Sequence, residues 1–247
     1  MTPNMRPLSI AKPERDLVIW RYLPFNHFED LIATKEIFLP RIDQFEKNDK
    51  HEGYVPMANT TAPAPHEIAA QRHAWAWRFL YFASCWHIGS NENVLMWPSY
   101  GQGTGVVVKS TAGKLEDIVS FQPNAYTACV IYEDWPNPVP PGLLWQMPIR
   151  KRPEFYAEAE LRIVMEDIDL MIMDDFPRIG NQPPANWPKF HRASFDGLPL
   201  IDEIRVKPGA SAEFIDRVVQ TTKFHGIEAP VRESRLAVKP VWVDPNI

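Results

Sequence analysis

The stretch YAEAELRIVM, residues 156–165, sets Glu158, Glu160 and Arg162 at alternate positions, with Ala157, Ala159, Leu161, Ile163 and Met165 around them. Successive side chains of a strand point to opposite faces. The spacing therefore predicts one apolar face and one face carrying two carboxylates and a guanidinium. Lining a cleft, such a face does chemistry: one carboxylate handles a ligand hydroxyl or a developing positive charge, and the other pairs with the arginine. On a solvent-facing edge it is only a ladder pair, worth about 0–1 kcal/mol, and spacing alone favours that simpler reading.

Other residues invite the same comparison. Arg21 is a lone cation in the apolar run VIWRYL. It needs an edge, a carboxylate or an anionic ligand such as a phosphate. In YFASCWH, Ser84 and Cys85 lie in an apolar strand, and Cys85 shares a face with His87; a buried structural cysteine is the simpler reading. Tyr22, Trp97 and Tyr100 are aromatic enough to stack on a base, although core packing explains them as well. Asp49 and Glu52, joined to Glu158 and Glu160, are a candidate carboxylate set for phosphate chemistry with a divalent ion. The histidines lack zinc-ligand spacing and there is no CxxC, so no metal ligand is assigned. GQGTG, residues 101–105, is a turn entering a strand, since no GK[ST] follows it.

These residues need elements to hold them. Strands are expected at 16–25, 79–86, 103–110 and 158–166, after a helical turn at 153–157. A helix is expected over 26–37, opened by a capping box from Asn26 and Glu29, another from about Pro65 to Arg78, and a short one in 91–100. The C-terminal part predicts strand–helix–strand, with Phe214, Val218, Val219 and Phe224 on one helix face and Gly226 ending it. The fold class is α+β, with a mixed or antiparallel sheet core and flanking helices, in a single domain spanning 1–247. Residues 1–15 read as a flexible N-terminal segment and 176–198 as a Pro-rich insertion or loop.

Among the 247 residues are 25 prolines, 9 tryptophans and 2 cysteines, and the net charge is −5. The charge argues against nucleic acid or an acidic membrane as the main partner. The basic run IRKRP, residues 149–153, reads as a solvated turn. Cysteine usage, the absence of a signal-peptide pattern and the lack of long apolar runs lead to the expectation of a cytoplasmic protein.

Four pieces then occur in order: WRYLPFNHFEDLIATKEIFLPRIDQF, NDKHEG, FASCWH…NVLMWPSYGQGTGVVV and YAEAELRIV. Their pattern resembles an AbiGi-like abortive-infection family of bacteria and phages, whose function is unknown. It has an Arg-Tyr strand, an ND-x-x-EG loop, an MW-x-x-Y segment and an E-x-E-x-R strand. Lys50 and His51 stand where that loop carries Pro-Phe. A more distant resemblance is to the three-part motif of ADP-ribosyltransferases, with Arg21, Ser84 and Glu160 or Glu158 at its positions. That resemblance implies a cleft binding NAD as substrate, in which the arginine grips phosphate or ribose, the serine orders the pocket and the glutamate holds a ribose hydroxyl. Arg162, Tyr22, Trp97, Tyr100, Asp49 and Glu52 are the further candidates for ligand contact. The competing expectation is a non-enzymatic nucleotide- or protein-binding sensor in phage–bacterium conflict.

Overall fold

Pro24 marks the first junction. Val18–Pro24 form strand β1, and helix α1 runs from Phe25 to Thr34. The capping box expected from Asn26 and Glu29 does not form. The helix starts directly after Pro24, with no side-chain cap, and the Phe25 N–H donates to the Thr104 carbonyl at 2.9 Å. A backbone acceptor from a neighbouring turn thus takes over one of the amides that a side chain would have satisfied.

The computed structural model describes residues 13–47, 49–55, 75–101, 103–136, 139–171 and 182–237. After β1 and α1 come β2 (Glu36–Pro40), β3 (Tyr81–Ile88), α2 (Met96–Tyr100), β4 (Gly105–Thr111) and α3 (Ala112–Ser120). They are followed by β5 (Ala125–Cys129), β6 (Ile131–Tyr132), β7 (Arg150–Lys151), β8 (Glu160–Glu166) and α4 (Ile168–Met171). The last elements are β9 (Phe190–Ser194), β10 (Glu203–Val206), α5 (Ala212–Phe224) and β11 (Val231–Glu233). The fold is α+β, and the C-terminal strand–helix–strand is present as β10–α5–β11. Most of the helix expected from Pro65 to Arg78 lies outside the described residues. Within the stretch read as a Pro-rich insertion, Phe190–Ser194 is a strand paired antiparallel with β2.

The seven-stranded sheet runs β11-β10-β4-β1-β3-β8-β5. The β10–β11 pair is parallel and its other pairs are antiparallel. One face carries Ile19, Leu23, Phe82, Trp86, Val106, Val108, Leu161 and Ile163 in the main core, beneath the apolar faces of α1 and α3. Within α5, Val218 is fully buried and Phe214 packs on this core, whereas Phe224 is 85% exposed. It sits off the apolar stripe, in the last turn before Gly226. No helix among the described residues is long and apolar enough to cross a membrane.

The other face is built in two patches. Trp20, Tyr22, Val107, Met96 and Trp97 form one, and Ala83, Val164, Ala128 and Ile149 belong to the other. Between them the sheet comes apart. β1 pairs with β4 along its whole length, from Val18–Thr111 to Pro24–Gly105. It pairs with β3 only at Ile19–Ile88 and Trp20–His87. Beyond those pairs β1 stays with β4, while β3 stays with β8 and forms a bridge from Phe82 to Arg41.

Candidate functional site

The split between β1 and β3 opens as a cleft of about 480 Å³, within the range of roughly 300–1,000 Å³ common for small-molecule sites. Consecutive residues of both strands line it, Trp20–Pro24 and Ala83–His87. That is the signature of a gap between strand edges. A groove lying on one face would show only alternate residues. Strand alternation and register put Arg21, Ser84 and Trp86 on the main-core face. Trp20, Tyr22, His87, Glu160 and Arg162 lie on the opposite face. The cleft joins the two sets, which an unbroken sheet would have kept apart.

On the first face, the Trp86 indole N–H donates to Ser84 Oγ at 3.2 Å, and the Arg21 guanidinium lies 5.6 Å from the Trp86 ring centroid. Ser84 thus holds the ring on which Arg21 rests. Arg21 Nη2 donates to the Phe38 carbonyl of β2 at 3.1 Å, and Nη1 is buried without a hydrogen-bond partner. Burial pulls the Arg21 pKa down to about 10, so it stays charged at neutral pH. No carboxylate pairs with it among the described residues.

On the second face the sequence expectation needs correction. Glu158 is not on the strand. Pro153–Glu158 is a 3-10 helix, and β8 begins at Glu160. Ala159 between them is left-handed, with φ 41°. Nor is this a solvent-facing edge: β8 is flanked by β3 and β5, and Glu160 and Arg162 are 4% and 1% exposed. Because a non-glycine residue at positive φ is strained, Ala159→Gly should stabilise the fold by up to about 1 kcal/mol. Urea unfolding would test this, and a loss of stability would show that Ala159 is not strained.

The buried charges close into a ring. Lys151 Nζ lies 2.9 Å from Glu160 Oε1 and 3.3 Å from Glu52 Oε2. Arg162 Nε donates to Glu160 Oε2 at 2.7 Å, and its Nη2 pairs with Glu52. Arg162 Nη1 donates to the Pro148 carbonyl at 2.8 Å. Two cations thus alternate with two anions. Burial would raise the Glu160 pKa, but Arg162 and Lys151 hold it well below the usual carboxylate range. Burial would likewise lower the Lys151 pKa, and Glu160 and Glu52 keep it above its ordinary value.

Glu158 hangs from this ring. Its Oε2 pairs with Lys151, and its Oε1 accepts from the Tyr100 hydroxyl at 3.0 Å. Burial, with Glu160 close by, pushes it up to about 7. Its backbone carbonyl accepts from His87 Nδ1 at 2.7 Å. A carbonyl only accepts, so Nδ1 carries a proton and a neutral ring keeps Nε2 free to accept.

The loop at Asp49–Gly53 closes the ring from outside. Asp49 pairs with Arg152 at 2.8 Å and also accepts from the His51 N–H. Gly53 has φ 72°, and a Cβ there would come 2.6 Å from Ile42 Cγ2. This gives the D-x-x-E-G pattern a physical reason: Asp49 anchors the loop, Glu52 completes the ring and Gly53 makes the turn.

Arg21, Tyr22, Ser84, Tyr100, Glu52, Glu160 and Arg162 therefore meet at one cleft. Asp49 stays behind it, 2% exposed and paired with Arg152. Trp97 is not a lining residue; it packs edge-on against Tyr22 at 5.1 Å. Lys151, read within IRKRP as part of a solvated turn, is 5% exposed and central to the site, and Arg150 is 7% exposed. Alternation on a two-residue strand is too short to reveal this. Burial pushes the Cys85 thiol well up, so it is no thiolate nucleophile. The carboxylates Asp49, Glu52, Glu158 and Glu160 face cations, and no His, Cys, Asp and Glu group among the described residues could hold a metal ion.

Against known proteins, no family model matches the chain, and neither a curated protein nor a solved structure matches it.

Proposed function

We propose that the cleft binds a nucleotide, with NAD as the substrate of an ADP-ribosyltransferase or NAD glycohydrolase. One observation carries this reading: Arg21 is a half-buried cation whose Nη1 is buried without a hydrogen-bond partner and which no carboxylate pairs among the described residues, beside aromatic rings in a cleft of nucleotide size. A phosphate supplies the charge and the acceptor that Arg21 lacks. The half-buried Tyr100 ring at the cleft's side offers a flat surface to a base.

In the reaction, the bond from ribose C1′ to the nicotinamide nitrogen breaks and its electron pair leaves with nicotinamide. An acceptor oxygen or nitrogen then bonds to C1′ and gives up its proton. Glu160, fixed by Lys151 and Arg162, presents a negatively charged edge to the sugar. The acceptor's proton goes to water: Glu158 does not line the cleft, and its two oxygens are held by Lys151 and Tyr100.

Calorimetry with NAD and assay of released nicotinamide test this. Arg21→Met should weaken binding about 10- to 100-fold, the loss of a charge-assisted contact of roughly 1.5–3 kcal/mol. It should also leave the protein about as stable as before, because the cation that is lost is half-buried, has no carboxylate partner among the described residues and leaves Nη1 unpaired. Equal affinity in wild type and variant would remove Arg21 from the site. Glu160→Gln should abolish nicotinamide release in folded protein.

A second reading has its own support. Glu160 is compensated by two cations, which weakens the field it presents to a cationic transition state. A nucleotide sensor that binds without turnover fits that arrangement, and binding with no product would favour it. A place in phage defence rests on the resemblance to the AbiGi-like family.

A further inference from the structure

One side of the cleft is formed by Met96, Ser99 and Tyr100 of α2. A helix of five residues with no side-chain cap has little stability of its own, so something else must hold it. The Glu92 carboxylate does so. Its Oε2 accepts from Trp97 Nε1 at 3.2 Å and from Ser234 Oγ at 2.6 Å. Its Oε1 accepts from Arg205 Nη1 at 3.0 Å and from the Arg235 backbone N–H at 2.6 Å. Its side chain is 3% exposed. One anion therefore ties α2 to β10 and to the segment just after β11, over 100 residues away in sequence.

Two of its three side-chain partners touch cleft residues. Trp97 packs edge-on to Tyr22 at 5.1 Å, and Arg205 lies 4.8 Å from the Trp20 ring centroid. The Tyr22 hydroxyl in turn accepts from the Asn93 N–H at 2.6 Å, next to Glu92 itself. Tyr22 and Trp20 both line the cleft.

We infer that Glu92 is a positioning residue for the cleft, and that docking of Ser234 and Arg235 on it sets the α2 wall and hence ligand affinity. The affinity part rests on the nucleotide reading above; the wall part does not. Because such coupling is reciprocal, a ligand in the cleft should also steady the 234–235 segment.

Hydrogen exchange on the full chain, wild type against Glu92→Gln and the milder Ser234→Ala, tests both parts. Exchange should quicken at Met96 and Gly101, whose amides bond Asn93 and Trp97 carbonyls, while β8 amides stay protected. NAD should bind about 5- to 10-fold more weakly to each variant, and should slow exchange at Arg235 in the wild type. Unchanged α2 exchange in both folded variants would overturn the inference, as would faster exchange spread evenly over β8. If wild type binds no NAD, the nucleotide reading fails alone, and the α2 exchange still decides whether Glu92 sets the wall.

Discussion

Arg162→Met should destabilise the protein by about 3–5 kcal/mol, the usual consequence of removing one partner from a buried ion pair. Arg162 is 1% exposed, and it balances Glu52 and Glu160, whose side chains are 3% and 5% exposed. Methionine fills similar space but leaves Lys151 as the one cation of the ring for both carboxylates. It also strands the Pro148 carbonyl that Arg162 serves. These groups are almost wholly buried even though they border the cleft, so water compensates little and much of the cost is that of desolvated charge. Urea unfolding followed by circular dichroism gives the number. A loss below about 1 kcal/mol, the range of surface pairs, would mean that the ring is solvated and contributes little. Adding Glu52→Leu to Arg162→Met should recover part of the loss, because the second change removes one of the stranded anions.

Glu158→Gln should make the protein more stable than wild type at about pH 8, by roughly 1–2 kcal/mol after allowing for partial solvent screening. The direction follows from the folded-state pKa of about 7 against an ordinary 4.5. The fold prefers the protonated carboxyl. That preference stabilises the folded state fully below the unfolded pKa, and the benefit is lost as pH rises through the folded one. Between those two values the wild type should therefore weaken with rising pH, and the glutamine variant should lack that slope. Glu160 acts in the opposite sense: its folded pKa is depressed, so its contribution is present above 4.5 and is lost as pH falls through the lower folded value. Sharing Lys151, the two carboxyls titrate as a pair, and the variant separates them. Parallel stability–pH curves for wild type and Glu158→Gln would refute the raised pKa.

Much of the scaffold is legible along the chain. The runs VIWRYLP and ELRIVME are dense in β-branched and apolar residues and form β1 and β8. Ser211 caps α5, accepting from the Phe214 N–H, and Gly226 ends that helix with φ 67°. The boundaries that misled are those where a tertiary partner replaces a local one. Thr104 supplies the acceptor at the start of α1 in place of Asn26. Ala159, in a conformation favouring glycine, interrupts what alternation presents as one continuous strand.

The candidate residues Arg21, Ser84, Glu160 and Arg162 could be picked out because each is a polar group in an apolar run, where burial is costly and a reason is required. Lys151 could not, since a basic run beside proline looks like any solvated turn. Its burial depends on three glutamates brought from Glu52, Glu158 and Glu160. Glu92 was equally silent: a lone acid at the start of an expected short helix shows nothing of the Trp97, Arg205 and Ser234 that converge on it.

By itself, then, the sequence determined the α+β class, most strand and helix locations and the side chains that demand a partner, because these follow from periodicity and local backbone preference. Only the tertiary structure decided that β1 leaves β3 after Trp20, that the cleft admits groups from both sheet faces, and which charges share it. Those outcomes depend on long-range pairing and desolvation, and neither is encoded in neighbouring residues.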